Sequence, residues 1–366
     1  MKSTKALSTL LVGMLLSIVL LTACGGGSLV VGTPAVSEGR AKSLTGAGAT
    51  FPYPLYSKWF YEYYKLTSVQ INYQSIGSGG GIRQLIERTV DFGASDAPMT
   101  DEQLRDAPGE VLHIPTVIGA VVVAYNLPGV PTGLKLTPNA VAGIFLGQIA
   151  KWNDPEIAAS NPGVGLPDST VTVVHRSDGS GTTNIFTDYL SSVSPGWKAR
   201  VGTGTSVNWP VGIGGKGNEG VTGQLTQVAG AVGYVELAYA VQNKLSYAHI
   251  RNLVGEFIEP TVDSITAAAA AVAPNMPPDL RVSIVNATGK DAYPIAGFTY
   301  ILVYKEQTNP AKGRVLADFL WWAIHEGERY AEGLLYAPLP PEVVARDEAQ
   351  IKTISYQGKS LFGEGA

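Results

Sequence analysis

Residues 171–190, VTVVHRSDGSGTTNIFTDYL, constrain the fold more than any other stretch of this 366-residue chain. Val171 to His175 is β-branched and apolar enough for a buried strand. Asp178-Gly179-Ser180-Gly181 is turn chemistry. Beyond it Ile185, Phe186, Tyr189 and Leu190 share one face of a 3.6-residue period, which predicts a helix. A helix that begins just after a glycine-rich turn aims free backbone N–H groups and the positive end of its dipole at whatever precedes it. Ser180, Thr182 and Thr183 add hydroxyl donors there, and Arg176 adds a fork of N–H donors in front. That is the composition of an oxyanion site.

The same unit recurs upstream. Leu44-Thr45-Gly46-Ala47-Gly48-Ala49-Thr50-Phe51 reads as a short strand running into a small-residue turn. Pro52 and Pro54 then fall in the first helical turn, where a missing N–H costs least. Leu55, Tyr56, Trp59 and Tyr63 form the apolar face of that helix. Val69, Ile71 and Tyr73 alternate as a second strand, Gly77-Ser78-Gly79-Gly80-Gly81 turns, and Ile82, Leu85 and Ile86 are helix-spaced. A third strand, Val90-Asp91-Phe92-Gly93-Ala94, delivers Ser95-Asp96-Ala97-Pro98 to its carboxyl end. Thr100 with Gln103 is a capping box for the helix that follows. Strands alternating with helices predict βαβ units, a mostly parallel sheet, and ligands outside the carboxyl ends of the strands. Every turn singled out lies at that end.

Two long apolar strands, residues 117–125 and 297–304, bracket a middle section with its own βα pattern. Thr137-Pro138 starts a helix there, and residues 230–234 read as a strand. After Tyr304 come an amphipathic helix carrying Val315, Leu316, Phe319 and Leu320 and a terminal one near 342–354. The expectation is an α/β protein of two lobes joined by a two-segment hinge. Lobe I combines 43–124 with 293–366, lobe II is 125–292, and the crossings fall near 124–128 and 288–296.

Lys2 and Lys5 precede an apolar stretch of secretory-signal length that ends in Leu21-Thr22-Ala23-Cys24. This resembles a bacterial lipoprotein signal, which implies a signal peptide over 1–24 and a lipid on Cys24. Residues 25–42, rich in Gly, Ser, Val and Pro, read as a flexible tether. Cys24 is the only cysteine, so no intrachain disulfide forms. No later segment has the roughly eighteen unbroken apolar residues of a membrane span. Net charge is −4 without a basic run, which argues against nucleic acid as a partner. A mildly acidic protein still binds an anion if its donors are focused in a cleft.

Seven blocks, in order, resemble the periplasmic phosphate-binding protein of the ABC phosphate uptake system: LTGAGATFPYPLYSKW, YQSIGSGGGIRQLI, VDFGASDAPMT, IPTVIGAVVVAYN, RSDGSGTTNIFTDYL, NWPVGIGGKGNEGV and GAVGYVELAYA. The match runs from about Ser43 to the C-terminus and is weakest across 251–290. The resemblance implies a type II periplasmic-binding-protein fold whose lobes close on inorganic phosphate. By position it implies contacts from Ala49, Thr50, Phe51, Ser78, Asp96, Arg176, Ser180, Gly181 and Thr182. It also implies an ABC permease with its ATPase as partner, an extracytoplasmic location, a monomer, no cofactor and no catalysis. His175 stands where many relatives carry arginine, which leaves the local charge open.

A carboxylate beside a dianion makes sense only when the ligand's own proton is counted. Asp96 accepts a phosphate O–H, whereas sulfate has no proton to offer at neutral pH. Asp178, two residues beyond Arg176, is placed to orient the guanidinium. Other oxyanions such as sulfate, molybdate or arsenate stay open as ligands, and a phosphatase is the remaining enzyme reading. Against the latter, neither Ser78 nor Ser180 has the G-x-S-x-G context, and no metal-ligand cluster is visible. Gly212-Ile213-Gly214-Gly215-Lys216-Gly217 has P-loop character but lacks Ser or Thr after the lysine. His113, His249 and His325 have no ligand spacing and read as structural or exposed.

Overall fold

In the long strand Val111–Asn126 every residue up to Tyr125 is buried, and the molecule is assembled around it. The structure, a computed structural model, describes residues 39–363. The signal peptide, Cys24 and the tether up to residue 38 lie outside the described residues.

The strands of the main sheet are β1 (Ser43–Gly48), β2 (Gln70–Ser75), β3 (Phe92–Ser95), β4 (Val111–Asn126), β5 (Thr172–Arg176), β6 (Ile213–Gly215), β7 (Ala231–Glu236), β8 (Ser246–Tyr247) and β9 (Ala296–Tyr304). Their order is β2-β1-β3-β9-β4-β7-β5-β6, with β8 beside β4. β1 is parallel to β2 and β3, and β5 is parallel to β6 and β7. The centre departs from the mostly parallel sheet expected from the sequence. β9 runs antiparallel to both β3 and β4, and β4 runs antiparallel to β7. Strand polarity cannot be read from alternation alone, because a buried antiparallel strand is as uniformly apolar as a parallel one.

β4 serves two half-sheets. Up to Ala120 it pairs with β9, and from Val121 onward it pairs with β7. Each half has its own aromatic core. Tyr56, Phe60, Tyr73, Phe92 and Phe319 pack together in the first, and Phe145, Phe186, Trp209 and Tyr234 in the second. Offset and edge-on ring pairs of this kind add about 0.5–1.5 kcal/mol each beyond area burial.

The helices that matter for the site are α1 (Tyr53–Thr67), α2 (Ser78–Ile86), α3 (Gly181–Val193), α4 (Gly217–Gln227), α5 (Pro310–Ala323) and α6 (Pro341–Ile351). α1, α2, α3 and α4 follow β1, β2, β5 and β6, so their N-termini gather at the carboxyl edge of the parallel strands. The capping box at Thr100 is present, with both reciprocal bonds made. α5 and α6 cover the first half. No helix among the described residues is long and apolar enough to cross a membrane.

Candidate functional site

The N-termini of α2 and α3 meet across the seam between the half-sheets. Gly77 precedes α2 with φ +88°, and a Cβ there would lie 2.2 Å from Asp178 Oδ2, so only glycine fits this approach. The Gly79 N–H donates to the Gly179 carbonyl at 2.9 Å. Between them, the buried Ser78 Oγ accepts the N–H of Gly181 at 3.0 Å and that of Asp96 at 3.2 Å. Both lone pairs of that oxygen are thereby occupied, and its proton is directed elsewhere.

Asp96 follows β3 directly and is 4% exposed. Its Oδ1 accepts the Thr299 hydroxyl at 2.9 Å. The N–H and O–H of Thr182 also donate to the carboxylate. Burial pushes the carboxyl up to about 7, against the opposing pull of Thr299, Arg176 and Thr182. A carboxyl balanced near neutrality is suited to sharing a proton. A Cβ on Gly181 would lie 2.6 Å from Asp96 Cβ and from its backbone nitrogen, so α3 starts in direct backbone contact with Asp96.

Arg176 ends β5 with a side chain 1% exposed. Its Nε donates to Asp178 Oδ1 at 2.8 Å, its Nη2 to Oδ2 at 2.5 Å, and its Nη1 to Thr182 Oγ1 at 3.3 Å. This is a bidentate fork, and Asp178 Oδ1 accepts the Gly217 N–H as well, at 2.9 Å. Burial works against the charge of Arg176, but Asp178 outweighs it and holds the guanidinium above its ordinary range. Burial likewise lifts Asp178, and Arg176 outweighs that, leaving the carboxyl below its usual range. Three of the five guanidinium N–H groups are used in these bonds, which leaves two.

Ser180 is the N-cap of α3, its Oγ accepting the Thr183 N–H at 3.0 Å. Ser180, Gly181 and Thr182 are all buried beside Ser78 and Asp96. The turn after β1 carries Ala49, Thr50 and Phe51. Ala49 has both backbone groups committed, its N–H to the Ala94 carbonyl at 2.9 Å and its carbonyl to the Tyr73 hydroxyl at 2.7 Å. It holds the turn and has no backbone donor to spare. The first turn of α1 also offers little. Pro52 and Pro54 lack an N–H, and the Tyr53 N–H bonds the Thr50 carbonyl at 3.2 Å. Phe51 gives its carbonyl to the Tyr336 hydroxyl at 2.7 Å and its ring to the core. Thr50 reaches the cluster through its side chain.

Four residues that the sequence reading did not select join the site. Asn218, fully buried near the start of α4, donates from Nδ2 to Thr50 Oγ1 at 2.8 Å and to Thr182 Oγ1 at 3.2 Å. Tyr239 donates to the Thr50 carbonyl at 2.6 Å and Thr299 to Asp96, while the Tyr336 hydroxyl, which donates to Phe51, lies 3.1 Å from Glu236 Oε2. Burial pushes the Glu236 carboxyl well above its ordinary range. The signal for Asn218 was available in the sequence. GIGGKGNEG is a fourth strand–turn–helix start, akin to the other three. His175 stacks on Trp209 at 5.0 Å within the second aromatic core, a structural placement. His113 is also structural: it is buried, and its Nε2 accepts the Met99 N–H at 3.0 Å. Among the described residues no group of three or more His, Cys, Asp or Glu is placed to hold a metal ion.

A sheet shared by two halves, with helix N-termini, hydroxyls, the Arg176–Asp178 pair and the Asp96 carboxyl gathered at the seam, defines a ligand-binding protein of the type II periplasmic-binding class. The model of the PBP superfamily domain matches residues 33–326. A phosphate-binding protein from Stenotrophomonas maltophilia shares the fold, with TM-score 0.65 and 21% identity over 84% of this chain and 94% of that one. The phosphate-binding protein PstS of Pasteurella multocida is 47% identical over 326 residues, covering 88% of this chain and 94% of the relative. PstS of Xylella fastidiosa is 46% identical over 86% of each. The chain belongs to the PstS family of phosphate-binding proteins, a family of binding proteins rather than enzymes.

Proposed function

We propose that this protein captures inorganic phosphate between two lobes, residues 43–124 plus 293–366 and residues 125–292, and delivers it to an ABC permease energised by its ATPase. The observation that carries this reading is Asp96, a single carboxyl balanced near neutrality among donors contributed from both sides of the seam. Hydrogen phosphate presents deprotonated oxygens that need donors and a hydroxyl that needs an acceptor. The hydroxyls of Thr50, Ser78 and Ser180, the Ser78 amide at the start of α2, and the two remaining N–H groups of Arg176 serve the former, while Thr182 steadies Asp96. Asp96 serves the latter. Sulfate at neutral pH has no proton for Asp96, so its negative charge would face the buried carboxylate with no hydrogen between them. Sites built this way reject the wrong ligand by up to about 10⁴-fold.

The lobes close on the anion by bending where β4 changes partners and where the chain enters β9, and closure excludes water. Closure also gives the permease a surface that differs between loaded and unloaded forms. The chain works as an extracytoplasmic monomer, anchored to the membrane by a lipid on Cys24 after removal of the signal peptide.

Isothermal titration of the soluble form lacking residues 1–24 tests the assignment. Phosphate is expected to bind tightly and arsenate more weakly, with sulfate giving no heat. Sulfate binding equal to phosphate, or no phosphate binding, overturns it.

A further inference from the structure

Glu236 ends β7, in the second half of the sheet, and is fully buried. It caps the helix Leu237–Gln242, its Oε2 accepting the Ala238 N–H at 2.8 Å. The same oxygen lies 3.1 Å from the hydroxyl oxygen of Tyr336, which belongs to the first half and is also fully buried. Both residues rest on the stretch of β4 that changes partners, since Glu236 stands opposite Val121 and Ala337 bridges to Ile118. The contact therefore crosses the seam. On its far side it reaches the turn after β1, because the Tyr336 hydroxyl bonds the Phe51 carbonyl at 2.7 Å. The helix that Glu236 caps holds the same turn from another side, through the Tyr239 hydroxyl on the Thr50 carbonyl.

A phenol has a single proton to give. Tyr336 gives it to the Phe51 carbonyl, which only accepts, so the approach to Glu236 is a hydrogen bond only when the proton comes from the carboxyl. The other oxygen, Oε1, argues the same way, for it is buried without a hydrogen-bond partner among the described residues. An ionised carboxylate there would leave a charged oxygen unpaired at high cost, whereas a neutral acid leaves only a carbonyl. Burial pushes the Glu236 carboxyl well above its ordinary range against the pull of the Ala238 amide, and the Asp96 charge adds to the rise. Tyr239 supplies the contrast. Its hydroxyl also faces a glutamate, Glu219 Oε1 at 3.0 Å, but Glu219 is exposed and solvent can serve its oxygens. We infer that Glu236 is a positioning residue that stays protonated and donates across the seam to Tyr336, fixing the Thr50–Phe51 turn of the site. The proton on Glu236 stands on this geometry alone, and its effect on affinity rests on the phosphate reading.

Two measurements on the form lacking residues 1–24 test this. The first reads the proton itself. The infrared difference between wild type and Glu236→Gln, taken at neutral pH in excess phosphate, is expected to show the C=O stretch of a protonated carboxyl and no carboxylate bands. Carboxylate bands in that difference overturn the inference. The second reads the link. Glu236→Gln keeps an oxygen for the Ala238 N–H, so the cap survives and the melting temperature stays near that of the wild type. That oxygen carries no proton, so the bond to Tyr336 is lost. Phosphate affinity by titration calorimetry is expected to fall about tenfold in Glu236→Gln and at least as far in Tyr336→Phe. In the Tyr336→Phe background, Glu236→Gln is expected to cost less than about twofold more, because both substitutions break one link. An equal loss from Glu236→Gln in both backgrounds means that it acts by packing alone, and overturns the positioning role. Wild-type affinity in Glu236→Gln does the same. A wild type that binds no phosphate overturns the phosphate reading instead, and the infrared result then still decides the proton on Glu236.

Discussion

The backbone N–H of Gly181 donates to the hydroxyl oxygen of Ser78 at 3.0 Å, joining the first residue of α3 to the first residue of α2. The two helices follow strands from different halves of the sheet, so this bond is made only when the halves are together. Asp96 takes part through its own N–H to the same oxygen, at 3.2 Å. One serine thus organises the anchor of each helix and the carboxyl between them.

Ser78→Ala removes that acceptor and leaves two buried N–H groups without a partner. Each such loss costs about 1–3 kcal/mol. The expected outcome is a melting temperature lowered by several degrees and phosphate affinity reduced at least tenfold, read by thermal unfolding and titration calorimetry. Unchanged affinity would show that the Ser78 proton does not reach the ligand.

Asp178→Asn breaks the fork that holds Arg176 and leaves a buried guanidinium without its counter-charge. Removing one partner of a buried pair costs about 3–5 kcal/mol. Bound phosphate supplies the missing negative charge, so the variant is expected to be less stable alone and to gain more from the ligand than the wild type gains. The measurement is the rise in melting temperature at saturating phosphate. An equal rise in both proteins would argue that Arg176 does not face the anion.

Asp96 links stability to pH with a sign that can be worked out. Its carboxyl is raised from 3.8 to about 7, so the folded protein disfavours the ionised form. That penalty is absent below the unfolded value near 4, grows as the pH rises toward 7, and is fully present above it, where it amounts to a few kcal/mol. Without phosphate, Asp96→Asn is therefore expected to be more stable than the wild type at pH 8 and to lose that advantage at pH 4. The same variant relaxes selectivity for phosphate over sulfate, because the carboxylate charge that repels sulfate is gone. A phosphate-to-sulfate ratio equal to that of the wild type would remove Asp96 from the role of proton acceptor.

Much of this arrangement was legible in the sequence, for a local reason. A strand, a glycine turn and a helix are each encoded within about ten residues, and the site is made of such units. Gly77, Ser78, Asp96, Arg176 and the Ser180 cap are recognisable because their chemistry belongs to turns and helix starts. What escaped is non-local. Thr299 sits mid-strand in β9 and is separated from Asp96 by 203 positions, so no spacing announces it. Tyr239 and Tyr336 read as ordinary core aromatics, and only their hydroxyl partners, 189 and 285 positions away, show otherwise. Ala49 entered through the family resemblance, and that its N–H continues the ladder to Ala94 is decided by the neighbouring strand and not by its own turn.

Glycines at the seam give a graded test of how closely the halves must approach. A Cβ on Gly181 would sit 2.6 Å from the backbone nitrogen of Asp96, a distance that backbone atoms cannot absorb without moving α3 away. A Cβ on Gly79 would meet the Gly179 Cα at 3.1 Å, which a shift of a few tenths of an ångström relieves. A Cβ on Gly223, inside α4, meets nothing within 4 Å. Gly181→Ala is accordingly expected to lose at least a hundredfold in phosphate affinity and Gly79→Ala about tenfold or less, with Gly223→Ala unaffected. The last should also gain about 0.5–1 kcal/mol in stability, because alanine suits a helix interior better than glycine. Small-angle scattering adds a second readout, since phosphate should compact the wild type and Gly223→Ala but not Gly181→Ala. If Gly181→Ala bound phosphate as tightly as Gly223→Ala, contact between α3 and Asp96 could not be part of the bound state, and the ligand would have to sit elsewhere.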